Sequence, residues 1–211
     1  MNGEKILPIN YQSGSITVRK ASISDFPALE IMLARAFDDD PMVNWMCLQD
    51  RHRTERIITS MNLGLQLAIP FGEIYTTQDQ TGAAGWFPPG KTGIGFREVL
   101  MLLSKGTRVT GVKHGISVFI VGIIIRKRRP KTPHWYLSPL GIEPSLQGKG
   151  IGCALLQPIL NRCDQDHLPA YLETQKERNV RFYEHRGFKV KERIKLPYGA
   201  PDCFCMLREP L

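Results

Sequence analysis

Several absences narrow what this chain can do. Its five cysteines (Cys47, Cys153, Cys163, Cys203 and Cys205) contain no C-x-x-C pair and no cysteine–histidine cluster at zinc spacing. No metal site is expected, and all five read as reduced thiols of a cytoplasmic protein. Met1–Ser15 is polar and lacks the apolar core of a signal peptide. The longest greasy run, Gly115–Ile125, has eleven residues, too few to span a bilayer. Four cations, Arg126-Lys127-Arg128-Arg129, follow it and could mark an interfacial segment. The expected reading is a buried helix whose last residues suit its negative pole, with no membrane insertion. Acids are also scarce: 28 Lys and Arg face 20 Asp and Glu, a net charge of +8. An excess of that size suggests an anionic partner. Nucleic acid is not expected, because the Arg126–Lys131 block lacks interleaved stacking aromatics.

Two common phosphate-binding patterns are missing as well. No Walker loop occurs, and Cys153 stands where the dinucleotide fingerprint would need its last glycine. The residues present are Gln147-Gly148-Lys149-Gly150-Ile151-Gly152, a Q-x-x-G-x-G hexapeptide. It follows a strand-like stretch ending Leu140-Gly141-Ile142. It precedes a helix with apolar residues at Ile151, Leu155, Leu156, Ile159 and Leu160. Three glycines in five residues exceed the needs of a plain turn. At the positive end of a helix they expose backbone N–H groups that can receive a phosphate.

The chain, 211 residues long, suits one domain over residues 1–211, with residues 1–14 as a loose tail. Strands are expected at 16–20, 72–77, 82–87, 134–142, 169–175, 188–196 and 204–207. Helices are expected after Ser24, within Arg53–Ala68, over 94–125, from Ile151 and over 178–186. Asp38-Asp39-Asp40-Pro41 reads as a helix stop. The alternation predicts a mixed α/β sheet, and 94–130 reads as a helical insertion shaping an acceptor site.

Trp135-Tyr136-Leu137, Leu140-Gly141-Ile142, Gln147–Gly152, Pro169–Thr174, Arg178-Asn179, Phe182-Tyr183-Glu184 and Gly187-Phe188 occur in that order. Together they resemble the GNAT N-acetyltransferase superfamily, and within it the puromycin N-acetyltransferase-like branch. The resemblance covers roughly residues 134–207; the N-terminal half fits in pattern only. It implies the GNAT fold, a central sheet with two splayed parallel strands, and acetyl-CoA as co-substrate. It also implies a coenzyme arm along Leu140, Gly141 and Ile142. The pyrophosphate would sit on the loop Gln147, Gly148, Lys149, Gly150, Ile151, Gly152 and Cys153. Asn179 and Tyr183 match positions beside the coenzyme arm and the thioester sulfur.

Direct attack by an amine expels a thiolate, which needs a proton or a hydrogen-bond donor. A tyrosine near ~10 and a thiol near ~8.5 leave full transfer uphill by roughly 2 kcal/mol, so Tyr183 should mainly donate a hydrogen bond. Glu173 shares a strand face with Tyr171 and Gln175. A carboxylate among buried positions needs a task or a partner, and the acceptor amine must lose a proton. Glu173, directly or through water, is the expected base; an ion pair with Arg or Lys is the alternative. His134, His167 and His185 read as exposed or terminal.

The acceptor pocket is expected from the helix after the first strand, the Trp45 segment, Trp86-Phe87-Pro88-Pro89 and helix 94–105. These carry few polar groups suited to a peptide, so a small, partly aromatic or apolar primary amine is expected. A protein or peptide acceptor, or a non-catalytic acetyl-CoA-binding module, remains the alternative. Either a monomer or a homodimer would be compatible.

Overall fold

The structure is a computed structural model that describes residues 11–13, 16–69, 73–91 and 105–211. The helix expected over 94–104 lies outside the described residues. Among the described residues, eight strands form one sheet. They are β1 (Tyr11–Ser13), β2 (Ile16–Lys20), β3 (Glu73–Thr77), β4 (Gly82–Phe87), β5 (Trp135–Ile142), β6 (Ala170–Thr174), β7 (Lys189–Ile194) and β8 (Cys203–Arg208). Their order is β1-β2-β3-β4-β5-β6-β8-β7, and β5–β6 is the parallel pair among antiparallel neighbours. Tyr11–Ser13, expected in a loose tail, instead pairs with β2.

The helices are α1 (Phe26–Ala36), α2 (Pro41–Met46), α3 (Arg53–Ala68), α4 (Val112–Arg126), α5 (Ile151–Gln165) and α6 (Glu177–Glu184). Residues 105–110 are also helical. Two local signals differ from the sequence expectation. Ser22, not Ser24, opens the turn before α1, with Asp25 completing a capping box. Asp40-Pro41 starts a helix as well as following one: Asp40 accepts from the Met42 and Val43 N–H groups, and proline takes the first helical position.

The sheet has a core on each side. On one face α5 and α6 pack on Val18, Ala84, Trp86, Leu137, Leu172 and Phe204. On the other, α1 and α3 cover Ile74 and Ala83, while α4 covers Tyr171, Cys203 and Cys205. The small residues of β4 permit this close approach, since a Cβ at Gly82 would lie 2.8 Å from Leu155 Cδ1.

The sheet is interrupted at its centre. β5 and β6 pair at Trp135↔Ala170 and Tyr136↔Tyr171 and nowhere beyond. From there β5 stays with β4 and β6 stays with β8. The β4–β5 register shifts between Ala84 and Trp86, so β5 carries one extra residue opposite Gly85. A side chain at Gly85 could not fit there, because its Cβ would lie 2.7 Å from the Ser138 carbonyl oxygen. A bulge bends the strand that carries it, and this one sits where β5 leaves β6. The gap so formed exposes the backbone of β5 on its β6 side.

Candidate active site

The gap runs straight to the glycine loop. Gly148 and Gly150 have φ of +78° and +84°, a region L side chains rarely adopt. Gly150 is the N-cap of α5 and has no side chain to occupy the helix end. The first intrahelical bond there is Ala154 N–H to the Gly150 carbonyl at 3.1 Å. The N–H groups of Ile151, Gly152 and Cys153 therefore have no intrahelical acceptor and point out of the positive end of the dipole. Gly148, Lys149 and Gly150 are exposed.

The glycines serve different ends. At Gly152 a Cβ would come within 3.1 Å of Phe182 Cζ, so this glycine lets α5 close against α6. A Cβ at Gly141 would lie 2.5 Å from Leu33 Cδ2, so α1 rests on the β5 backbone there. Gln147 Nε2 donates to the Ile142 carbonyl at 3.3 Å and ties the loop to the end of β5. Leu140 and Ile142 pack against the α5 core. The Cys153 thiol is contacted by Arg186 Nε at 3.2 Å, leaving its backbone N–H as the group facing the loop. Asn179 lies inside α6 and is not its cap. Its amide reaches Thr174 Oγ1 at 3.4 Å, at the gap end of β6.

Tyr183 is buried against Phe182 and Phe188 in edge-to-face contacts. Burial and the nearby Asp40 carboxylate hold its hydroxyl well above the usual tyrosine range. Asp40 is itself buried, and burial raises its pKa against the opposing backbone bonds. Asp40, expected only as part of a helix stop, is turned inward. Its neighbours do face outward: Asp38 pairs with Arg53, and Asp39 pairs with Lys176 and Arg178.

Glu173 lies on the opposite face of β6 from Leu172 and points to the α4 side. Its side chain is 7% exposed and accepts from Arg129 Nε at 2.9 Å. The Arg129 guanidinium also covers the Tyr136 ring at 3.7 Å from its centre. Burial, followed by the Glu173 charge, pushes the Tyr136 hydroxyl upward. The ion-pair alternative for Glu173 is thus present in the fold. Arg129 engages one of the two carboxylate oxygens. Glu173 and Tyr183 belong to opposite faces of β6, so only the gap connects them.

Aromatic groups line this side of the sheet. Phe87 lies 5.8 Å from Tyr136, Tyr136 lies 6.3 Å from Tyr171, and Trp45 meets His114 edge-on at 4.7 Å. His114 Nε2 lies 2.8 Å from the Trp45 carbonyl oxygen, and Trp45 Nε1 donates to the Tyr198 carbonyl. Trp86, expected in this pocket, is instead fully buried on the α5 face, because successive strand residues alternate. His134, expected to be exposed or terminal, is buried with Nδ1 2.8 Å from the Thr132 carbonyl oxygen. Sequence reasoning missed Arg129, Asp40, Tyr136 and His114. Only Asp40 carried a local signal, the Asp-Pro start of a helix. All five cysteines are free, and burial raises Cys47 to about 11 and Cys163 to about 12.

Comparison with known proteins agrees with this geometry. Residues 103–188 match the family model described as the acetyltransferase (GNAT) family. An uncharacterised N-acetyltransferase of Schizosaccharomyces pombe is 28% identical over 209 residues, covering 92% of this chain and 84% of the relative. A crystal structure of the histone acetyltransferase HPA2 and related acetyltransferase from Corynebacterium glutamicum superposes with a TM-score of 0.72. It is 24% identical and covers 93% of this chain and 97% of that one. A Salmonella typhimurium structure with its cofactor acetyl-CoA superposes with a TM-score of 0.51 at 15% identity, covering 93% and 94% of the two chains. The chain has the GNAT fold, and these matches support an acetyl-CoA-dependent acyltransferase. They support the superfamily and do not single out the puromycin N-acetyltransferase-like branch.

Proposed function

We propose that the protein transfers the acetyl group of acetyl-CoA to the primary amine of a small, partly aromatic or apolar molecule. The observation that carries the reading is the opening between β5 and β6, which leads to an uncapped helix start flanked by two glycines at positive φ. In this reading the pantetheine arm pairs with the free edge of β5 near Leu140 and Gly141. The diphosphate accepts hydrogen bonds from the N–H groups of residues 148–153, with Lys149 adding a nearby charge. The Asn179 amide meets the arm at the other side of the gap.

The acceptor approaches from the α4 face, where Glu173 takes the ammonium proton directly or through water. The free amine attacks the thioester carbonyl carbon, and the carbon–sulfur bond breaks. Tyr183 donates a hydrogen bond to the departing thiolate. Its raised pKa makes complete proton transfer still less favourable than in free tyrosine, so donation is its role. Support for a small acceptor comes from the wall of Phe87, Tyr136, Tyr171 and Trp45, with one carboxylate among them. Five unpaired thiols favour a reducing compartment, as expected for the cytoplasm.

Calorimetry with acetyl-CoA on wild type and Gly150→Glu tests the coenzyme site. Binding by wild type, and its loss in a variant that still melts cooperatively, is expected; equal affinity refutes the loop assignment. A screen of small amines and lysine peptides, following free thiol release, tests the acceptor. Faster turnover of peptides would replace the small-molecule reading and leave the coenzyme site intact.

A further inference from the structure

The helix α4 is apolar on both sides. Its inner face packs Val121, Ile124 and Ile125 against the Tyr171 and Tyr136 cluster. Its outer face was expected to be buried as well, yet Val112, Ile116, Phe119 and Ile123 are 75%, 66%, 68% and 39% exposed. Spacings of four, three and four residues place these side chains on one stripe. The same stripe continues into exposed Arg126 and Lys127. Among the described residues nothing covers it, and apolar surface concentrated this way marks an interaction site.

The distribution of charge says what kind of partner fits. Residues 105–131 contain Lys105, Arg108, Lys113, Arg126, Lys127, Arg128, Arg129 and Lys131 and no Asp or Glu. The whole chain has 28 cations and 20 acids, so removing these eight leaves 20 of each. The entire net charge of +8 therefore resides in the segment that carries the exposed stripe. Arg129 is used internally by Glu173, and Arg128 lies 3.5 Å from Glu192. Arg126 and Lys127 point outward with no ion-pair partner among the described residues.

We propose that the outer face of α4 docks on an anionic lipid surface. The aliphatic and aromatic side chains would enter the headgroup–acyl boundary while Arg126 and Lys127 meet lipid phosphates and carboxylates. The helix lies along the surface; eleven apolar residues cannot cross it, and no helix among the described residues is long and apolar enough to do so. Two alternative occupants fit less well. A second copy of the chain would meet this segment with another that has eight cations and no acid. Nucleic acid would satisfy the cations but offers no apolar surface for Ile116 and Phe119. Docking here would set the acceptor side of the sheet, which α4 walls, against the membrane.

The test is sedimentation of the full chain with vesicles of phosphatidylcholine alone and of phosphatidylcholine mixed with phosphatidylserine. Wild type should bind the mixed vesicles more tightly, and added salt should weaken that binding. Arg126→Gln/Lys127→Gln should weaken it by roughly thirtyfold, from about fivefold per cation. Ile116→Ser/Phe119→Ser should weaken binding to both vesicle types by at least about tenfold while leaving the melting temperature near that of wild type. Failure of wild type to bind mixed vesicles would overturn the proposal. So would binding unchanged by either double variant. Light scattering showing a dimer that Ile116→Ser/Phe119→Ser dissociates would assign the face to a second copy instead.

Discussion

Separating stability from catalysis at the Arg129–Glu173 pair gives the sharpest test of the proposed chemistry. Arg129→Met removes a guanidinium that is 19% exposed and leaves behind a carboxylate that is 7% exposed. Breaking a buried pair by removing one partner costs about 3–5 kcal/mol. The residual exposure of Arg129 places the expected cost near the lower bound, about 3 kcal/mol. For a chain of this length that shifts the melting temperature down by roughly 6–12 °C. Arg129→Met/Glu173→Leu removes both charges and should recover most of the loss, because an apolar pair of similar volume is tolerated where a lone charge is not. Activity should not recover, since no base remains. Glu173→Gln keeps an acceptor for Arg129 Nε, so its kcat/KM should fall near neutral pH and partly return at high pH, where free amine needs no base. Scanning calorimetry and pH–rate profiles decide the matter. A melting temperature for Arg129→Met within about 1 °C of wild type would refute the buried-pair estimate. An unchanged kcat/KM for Glu173→Gln would remove Glu173 from the mechanism.

Two further outcomes follow from named contacts. Tyr183→Phe should lower kcat by about ten- to a hundredfold with acetyl-CoA affinity nearly intact. Because burial and Asp40 raise the Tyr183 pKa, the hydroxyl stays protonated beyond ~10 and should impose no alkaline fall below it; a limb near ~9–10 that Tyr183→Phe abolishes would contradict this. Asp25 accepts Arg19 at 2.8 and 2.7 Å, the Ser22 N–H at 2.7 Å and Gln80 Nε2 at 2.6 Å, with the Arg19 bond the main reason its pKa is lowered. A lowered native pKa gives stability that is complete above the unfolded value of ~3.9 and lost as pH falls through the native value. Denaturant melts should show Asp25→Asn less stable than wild type at neutral pH, with the difference shrinking in acid; a difference constant with pH would exclude the charge as its origin.

Much of this molecule was legible in its sequence where periodicity was long enough to read. Helix α3 was expected within Arg53–Ala68 and spans it, and β4 matches Gly82–Phe87. Alternation along β6 correctly put Tyr171 and Glu173 on one face and Leu172 on the other. The same rule, applied to Trp86 and Phe87, would have separated them. Helix α2 was missed because six residues hold less than two turns of pattern, so Asp-Pro read as an ending. Arg129 was hidden differently. A run of four cations after a helix has one obvious reading at the helix pole, and nothing local reveals that the chain turns one of them inward onto a carboxylate 44 positions away. Such long-range pairings are set by tertiary packing, which single-residue patterns do not encode.

The ion pairs around α1 bear on more than surface charge. Arg35, in its last turn, reaches Glu143 just beyond β5 at 2.7 Å, while Asp39, in the turn that follows, reaches Lys176 and Arg178 just beyond β6. Beyond Tyr136 and Tyr171 the two strands are no longer joined by their own backbones. They resemble scissor blades pivoting at that pair, with the α1–α2 turn as a tie between the handles. Arg35 and Asp39 are each more than half exposed, so each link contributes at most about 1 kcal/mol and weakens as salt rises. The cleft proposed for the coenzyme is therefore bridged by weak, salt-sensitive links made by residues that would not touch the thioester.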